Sequence, residues 1–136
     1  MLEDTKVPGF ERLRVLLVED DAFAQRLATA VLKQLGVTNL VVVKDGQAAI
    51  QQLSYEDARF DLIISDWNMP HVSGLDLLKH VRSTWENMPF LMLTGNANEE
   101  FVRTAQANKV DAYVIKPFSP AQLKQKIMVM FRIKPS

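Results

Sequence analysis

The 136-residue chain contains no cysteine, which excludes disulfides, thiolate metal sites and a cysteine nucleophile. It has no excess of charge either, because 16 basic residues balance 16 acidic ones. Such a balance provides no overall field that attracts nucleic acid or an anionic membrane, so we predict that the domain binds neither. No run approaches the ~18 apolar residues of a membrane span, and the charged first residues are unlike a signal peptide. We expect a cytoplasmic protein.

The apolar residues form five short runs separated by segments of helical period. The runs do not alternate polar with apolar residues, which is typical of parallel strands buried on both faces. They are RVLLV at 14–18, LVVV at 40–43, FDLII at 60–64, PFLML at 89–93 and AYVI at 112–115.

Helices are predicted between and after these runs, because apolar residues recur at three- or four-residue spacing. Segments 46–54 and 97–107 have thinner apolar faces, and Gly36 is a natural stop for the first helix. The clearest stripes are Phe23, Leu27, Val31 and Leu35; Leu75, Leu78, Val81 and Trp85; and Leu123, Ile127 and Met130. Alternating strands and helices predict an α/β, doubly wound, five-stranded parallel sheet with five helices on its two sides.

One domain accounts for the whole pattern, since we find no internal repeat, low-complexity tract or linker. We predict a loose N-terminal arm over residues 1–12, a single domain over 13–133 and a tail over 134–136, with the last four residues, IKPS, frayed. Nothing after the last helix is long enough for a further effector domain. The protein is either complete in itself or part of a longer chain.

Polar residues end four of the predicted strands. In an open parallel sheet, ligands bind beyond the carboxyl ends of the strands, where the strand order reverses. Clustered carboxylates repel one another unless a cation joins them, and oxygen ligands without His or Cys suit Mg²⁺. A strand-end Asp can act as a nucleophile for phosphoryl transfer, assisted by a hydroxyl and a lysine. The residues concerned are Glu19, Asp20 and Asp21 after the first run, Asp66 after the third, Thr94 after the fourth and Lys116 after the fifth.

A structural explanation exists for each of these residues. Residues 19–21 can cap the first helix, Thr94 can begin a turn with the next glycine, and Lys116 can be solvated. In IISDWNMP, at 63–70, the Asp and Asn can form a turn that the proline terminates, and Trp67 can belong to a core edge. We favour the functional interpretation because four independent explanations would have to place complementary groups at one edge.

Four motifs then indicate a family. VLLVEDD, DLIISDWNMPHVSG, LTG and AYVIKPF have the order and spacing typical of response-regulator receiver domains of bacterial two-component signalling. The chain resembles this family from about residue 14 to residue 131, and SDWNMP and YVIKPF are most similar to its CheY-like members. The resemblance implies the flavodoxin-like, CheY-like fold with strand order 2-1-3-4-5.

The resemblance also implies the roles of the site residues. Asp66 would be the phosphoacceptor. Mg²⁺ would be bound directly by Asp20 and Asp66, through water by Glu19, and by the backbone carbonyl of Asn68. The phosphoryl group would contact Thr94 and Lys116, the peptide bond before Pro117 would be cis, and Tyr113 would be an aromatic switch paired with Thr94.

The implied function is a phosphorylation-activated signalling switch. A histidine kinase, a histidine phosphotransfer protein or a small phosphodonor would phosphorylate Asp66 in a Mg²⁺-dependent reaction. The surface around the fourth helix and fifth strand would then change and bind a downstream protein. Such a receiver is not an enzyme, although it assists its own phosphorylation and dephosphorylation.

Three positions depart from the CheY-like pattern. Glu19 stands where an aspartate is usual in CheY-like members, a substitution that other receivers share. Asn96 replaces a glutamate at a position that tunes loss of phosphate, so we predict an altered phosphoryl lifetime without a direction. Glu99 replaces a lysine on the surface offered to the flagellar switch, so we make no prediction of motor binding.

The sequence fits three other functions less well. A Mg²⁺-dependent phosphohydrolase with an aspartyl-phosphate intermediate typically has a second Asp two residues after the nucleophile, where this chain has Asn68. A degenerate receiver would lack one of the site residues, and none is missing. A nucleotide-binding domain is disfavoured because no glycine-rich loop follows the first strand.

Overall fold

The computed structural model describes residues 6–95 and 98–131. Its five strands are all parallel to their neighbours and lie in the order β2-β1-β3-β4-β5, so the predicted fold class is confirmed. The strands are β1 Arg14–Val18, β2 Asn39–Val43, β3 Leu62–Asp66, β4 Phe90–Thr94 and β5 Ala112–Ile115. The helices are α1 Ala22–Leu35, α2 Gly46–Leu53, α3 Gly74–Thr84, α4 Glu99–Ala107 and α5 Pro120–Met130, and a 3₁₀ turn at Phe10–Arg12 precedes β1.

Short polar side chains begin the five α-helices. Each accepts a hydrogen bond from a backbone N–H of the first turn, which would otherwise lack a partner. Gly36 ends α1 with φ of 112°, a conformation that favours glycine. The N-caps are Asp21, Asp45, Ser73, Asn98 and Ser119.

The sheet separates two apolar clusters. Along β1, Val15 and Leu17 face the cluster that contains α1 and α5, whereas Leu16 and Val18 face the cluster that contains α2, α3 and α4. The predicted burial on both faces holds for β1, β3 and β4. It is wrong for β2 and β5, where Val42 is 40% and Ile115 is 42% exposed, because each of these edge strands has a neighbouring strand on one side only.

The predicted buried stripe of α1 is wrong at its first residue. Phe23 is 66% exposed, and the buried face of the helix consists of Ala24, Ala28, Val31, Leu32 and Leu35. A spacing of four residues drifts around a helix of 3.6 residues per turn, so a residue at the start of such a series can leave the buried face.

Residues 7–12 pack against the core instead of forming the loose N-terminal arm predicted from the sequence. Val7 and Phe10 belong to the core cluster of α1 and α5, and the Val7 N–H donates to the Leu35 carbonyl at 2.8 Å. The Phe10 ring packs edge to face on Phe131, with centroids 5.4 Å apart. The predictions for the tail 134–136, for the frayed IKPS and for Asn96 lie outside the described residues, and the domain limits stay predictions.

No helix among the described residues is long and apolar enough to cross a membrane.

Candidate functional site

The carboxyl edge of the sheet brings the predicted site residues together. Strand β1 lies between β2 and β3, so the order in which strands are added to the sheet reverses at β1. Open parallel sheets bind ligands at the carboxyl ends of the strands beside such a reversal. Parallel ladders continue into the site: the backbone N–H of Glu19 donates to Val43 at 3.0 Å, and that of Lys116 donates to Thr94 at 2.8 Å. Glu19, which follows β1, and Lys116, which follows β5, are therefore held by the ends of the neighbouring strands β2 and β4.

Three carboxylates and one ammonium group meet at this edge. Glu19, Asp20 and Asp66 each offer an oxygen, and these three oxygens lie within 4.8 Å of one another. Glu19 is fully buried and Asp66 is 5% exposed, whereas Asp20 is exposed. The Lys116 Nζ lies 2.6 Å from Glu19 Oε1 and 3.3 Å from Asp66 Oδ2, so one cation contacts two of the three carboxylates.

Burial and pairing act in opposite directions on the charged pair. Burial raises the pKa of Glu19 above its ordinary value and outweighs the lowering by Lys116 and by the backbone N–H of Asp21. For Lys116, burial lowers the pKa, but the contact with Glu19 and the charge of Asp66 together raise it by more than burial lowers it. The pKa of Lys116 therefore lies above its ordinary value. Lys116 is therefore positively charged, whereas burial destabilises the ionised form of Glu19.

The capping alternative applies to Asp21. Its side chain accepts from the Ala24 N–H at 2.8 Å and so caps α1, while its own N–H donates to Glu19 Oε2 at 3.0 Å. The Gln25 side chain holds the Glu19 carbonyl at 2.5 Å. Glu19 and Asp20 form the acidic cluster with Asp66, so one residue of the run caps the helix and two belong to the cluster.

The turn alternative for IISDWNMP is also partly correct. The Asn68 N–H donates to Asp66 Oδ1 at 3.3 Å, which closes a turn, while Asp66 Oδ2 faces Lys116. Asn68 is exposed and Trp67 is buried in the core, at 7% exposure. The Asp66 side chain therefore contributes to the turn and to the cluster at the same time.

Thr94 and Tyr113 lie on the two strands beside the acidic cluster. Thr94 is 4% exposed at the end of β4. Tyr113, on β5, is half-buried and has the Lys126 Nζ 5.8 Å from its ring centroid. The peptide bond between Lys116 and Pro117 is cis. The roles of these residues stay predictions, as do those of the other site residues.

The donor set fits a hard divalent cation. Three carboxylates converge without His or Cys, and oxygen ligands of this kind suit Mg²⁺. Glu19 Oε1 is buried and, among the described residues, accepts no hydrogen bond of good geometry beyond its ion pair with Lys116. A buried carboxylate oxygen in that state is well suited to accept a hydrogen bond from an ordered water.

Gly74 is a site-supporting residue that periodicity did not identify. A Cβ at this position would lie 2.3 Å from the Asp66 carbonyl oxygen and 2.8 Å from Trp67 Cα. The Gly74 N–H donates to the Trp67 carbonyl at 2.8 Å, so α3 begins directly against the end of β3. The glycine in the DLIISDWNMPHVSG motif was the signal available in the sequence.

The chain matches the family model described as the response regulator receiver domain over residues 15–128. It is 37% identical over 124 residues to chemotaxis protein CheY-3 of Vibrio cholerae, covering 89% of this chain and 93% of the relative. The structure of chemotaxis response regulator CheY4 of Vibrio cholerae superposes with a TM-score of 0.78 at 31% identity, covering 87% of this chain and 98% of that one. The Mn²⁺-bound response regulator Rcp1 gives 0.74 at 27% identity, covering 91% and 96%.

Fold, acidic cluster and sequence similarity agree, and the family resemblance inferred from the motifs is confirmed. The chain belongs to the response-regulator receiver domains of bacterial two-component signalling, as a CheY-like member.

Proposed function

We propose that this receiver is a signalling switch that accepts a phosphoryl group on Asp66. The observation that carries the proposal is the convergence of three carboxylates and Lys116 at the carboxyl edge of the sheet. In the cytoplasm, a histidine kinase or a histidine phosphotransfer protein would be the donor. Receivers of the CheY type act through phosphorylation and are signalling switches rather than classical enzymes.

In the proposed reaction an Asp66 carboxylate oxygen attacks phosphorus in line. An O–P bond forms as the N–P bond to the donor histidine breaks, and the histidine nitrogen leaves with the bonding electrons. Lys116 already lies 3.3 Å from Asp66 Oδ2, so its ammonium group would neutralise charge on the transferred oxygens. Thr94, at the end of the adjacent strand, would donate its hydroxyl to the same group.

Receiver domains bind Mg²⁺ at an acidic pocket, and the structure of the relative Rcp1 contains Mn²⁺. In our proposal the carboxylates of Asp20 and Asp66 would hold Mg²⁺ directly, Glu19 would act through water, and Asn68 would contribute its backbone carbonyl. When bound, the ion supplies positive charge that neutralises the phosphoryl oxygens. The exposure of Asp20 leaves this side of the cluster open to solvent.

The proposed output is a change of the surface around α4 and β5. Phosphorylation adds nearly two negative charges beside Lys116 and Thr94. Tyr113 would then move into space left by Thr94. The loose attachment of α4 supports this proposal, because Ala105 is the one buried residue of this helix. A downstream protein would bind the altered surface.

Labelling with radioactive acetyl phosphate tests the acceptor. We expect Mg²⁺-dependent labelling of the parent protein that Asp66→Asn abolishes and that a chelator prevents. Asp61→Asn is the matched control, because Asp61 lies at the opposite end of β3, where it accepts from the Arg14 N–H. Labelling that persists in Asp66→Asn, or a parent that is never labelled, contradicts the proposal.

Phosphoramidate tests the donor class, because it presents an N–P bond like that of phosphohistidine. We expect it to label the parent and not the Asp66→Asn variant. An inert N–P donor, with acetyl phosphate active, would restrict the proposal to acyl phosphates.

A further inference from the structure

An aromatic pair joins the acidic site to α4. The rings of Trp67 and Phe101 have centroids 5.0 Å apart and planes at 72°, an edge-to-face arrangement. Trp67 directly follows Asp66, and Phe101 lies in the first turn of α4. The contact therefore connects the residue next to the proposed acceptor with the helix proposed to change.

Main-chain hydrogen bonds hold Trp67 from both sides. Its N–H donates to the Leu93 carbonyl at 2.8 Å, and its carbonyl accepts from the Gly74 N–H at 2.8 Å. The indole consequently extends from backbone that β4 and α3 both fix. A movement of α4 must slide or break the ring contact, because the Trp67 side has little freedom to follow.

The opposite ring is fixed to the start of α4. The Phe101 N–H donates to the side chain of the N-cap Asn98 at 2.9 Å, so the ring moves with the first helical turn. Elsewhere in α4, Ala105 is the one buried residue, and Phe101 and Val102 are half-buried. The contact between the Trp67 and Phe101 rings therefore contributes much of the packing that holds the first turn of α4.

We propose that Phe101 is a positioning residue that acts through Trp67: it holds α4 against the Asp66 segment and biases the helix toward the position seen in the unmodified protein. The link to phosphorylation rests on the proposed function. A contact made in one of two states shifts their equilibrium by its own strength, and loss of the contact favours the other state. Edge-to-face pairs of this kind correspond to about a two- to tenfold shift.

The test compares Phe101→Leu, which removes the ring, with Phe101→Tyr, which keeps it. The first readout is amide hydrogen exchange along α4, from Val102 to Ala107, which needs no phosphodonor. We expect exchange about two- to tenfold faster in Phe101→Leu and unchanged in Phe101→Tyr, with amides of α5 unaffected.

The second readout is the acetyl phosphate concentration that gives half-maximal labelling of Asp66. It should fall about two- to tenfold in Phe101→Leu and stay at the parental value in Phe101→Tyr. In a Trp67→Leu background, Phe101→Leu should have no further effect, because the shared contact is already lost.

Equal exchange and equal labelling in Phe101→Leu and parent overturn the proposal. So does faster exchange throughout the domain, which indicates a merely structural role, or faster exchange in α4 without altered labelling. If Phe101→Leu does not fold, Phe101→Met provides the same test at closer volume. If the parent cannot be labelled, the proposed function fails, while the exchange data still decide whether Phe101 holds α4 against the Asp66 segment.

Discussion

The ammonium group of Lys116 lies 2.6 Å from Oε1 of the fully buried Glu19, closer than its 3.3 Å approach to Oδ2 of Asp66. One cation of the protein itself therefore partly neutralises two of the three carboxylates proposed to hold Mg²⁺. The ion pair stabilises the metal-free cluster and opposes a second cation at the same edge.

Removal of the Lys116 charge should tighten Mg²⁺ binding. Two unit charges 4 Å apart interact by about 1 kcal/mol in water and by more near a protein surface, so we expect Lys116→Met to bind Mg²⁺ about fivefold or more tightly. Titration calorimetry measures the affinity directly. Lys33→Met, at an exposed position in the last turn of α1, should leave it unchanged. Unchanged or weaker binding in Lys116→Met would contradict competition between the lysine and the metal.

The raised pKa of Glu19 gives a pH dependence of stability. The folded protein keeps the Glu19 proton in a pH window in which the unfolded chain has lost it, so the free energy of unfolding falls as pH rises from about 4.5 through the raised pKa. Lys116 stays charged throughout this window, since its pKa is raised as well.

Glu19→Gln removes that titration. In chelator, its stability relative to wild type should increase as pH rises through the window, as measured by urea unfolding from about pH 4 to about pH 8. The exposed Glu56→Gln serves as the control. A stability difference that stays flat or falls with rising pH would show that the ionised Glu19 is not held at a cost.

Gly74→Ala should destabilise the domain. The added Cβ would approach the Asp66 carbonyl oxygen to 2.3 Å and Met92 Sδ to 2.8 Å, so backbone must move. Overpacking of this kind costs about 1–3 kcal/mol or more, measurable by denaturant unfolding. At Gly95 a Cβ would meet no described atom within 4 Å, so Gly95→Ala should stay within about 0.5 kcal/mol. Similar stabilities for the two variants would refute close packing at Gly74.

Two phenylalanines test the docking of the N-terminal segment. Phe10 is 4% exposed and packs on Phe131, whereas Phe23 is 66% exposed. Phe10→Ala should cost about 3–5 kcal/mol of unfolding free energy, and Phe23→Ala about 0.5 kcal/mol or less. Thermal and urea unfolding of both variants provide the comparison. A small effect at both positions would restore the loose arm predicted from the sequence.

Local pattern predicted much of this protein. The five apolar runs identify the five strands to within two residues at each end. For β1, β3 and β4 the reason is burial on both faces, which requires unbroken apolar stretches. Gly36 ends the first helix as predicted, since a left-handed cap favours glycine. The residues that end the strands were identifiable because the carboxyl ends of parallel strands share one edge of the sheet. That edge brings Asp66 and Lys116 together.

Periodicity failed where the environment of an element, rather than its own pattern, decides burial. Phe23 fits an apolar series yet faces solvent, and Val42 lies on an edge strand whose neighbours no local pattern specifies. The acidic run shows the same limit, because Asp21 caps α1 while Asp20 joins Asp66. Whether a carboxylate of this run caps α1 or joins the cluster depends on the path of the chain between β1 and α1.

By itself, the sequence determined the alternation of strands and helices, the sheet edge at which the proposed site lies, and the family motifs, all of which depend on residues close together in the chain. Only the tertiary structure decided that Lys116 lies closer to Glu19 than to Asp66, that Phe10 docks beside Phe131, and that Trp67 packs on Phe101. These contacts join distant segments. Their geometry follows from packing the helices on both sides of the sheet, which no local spacing encodes.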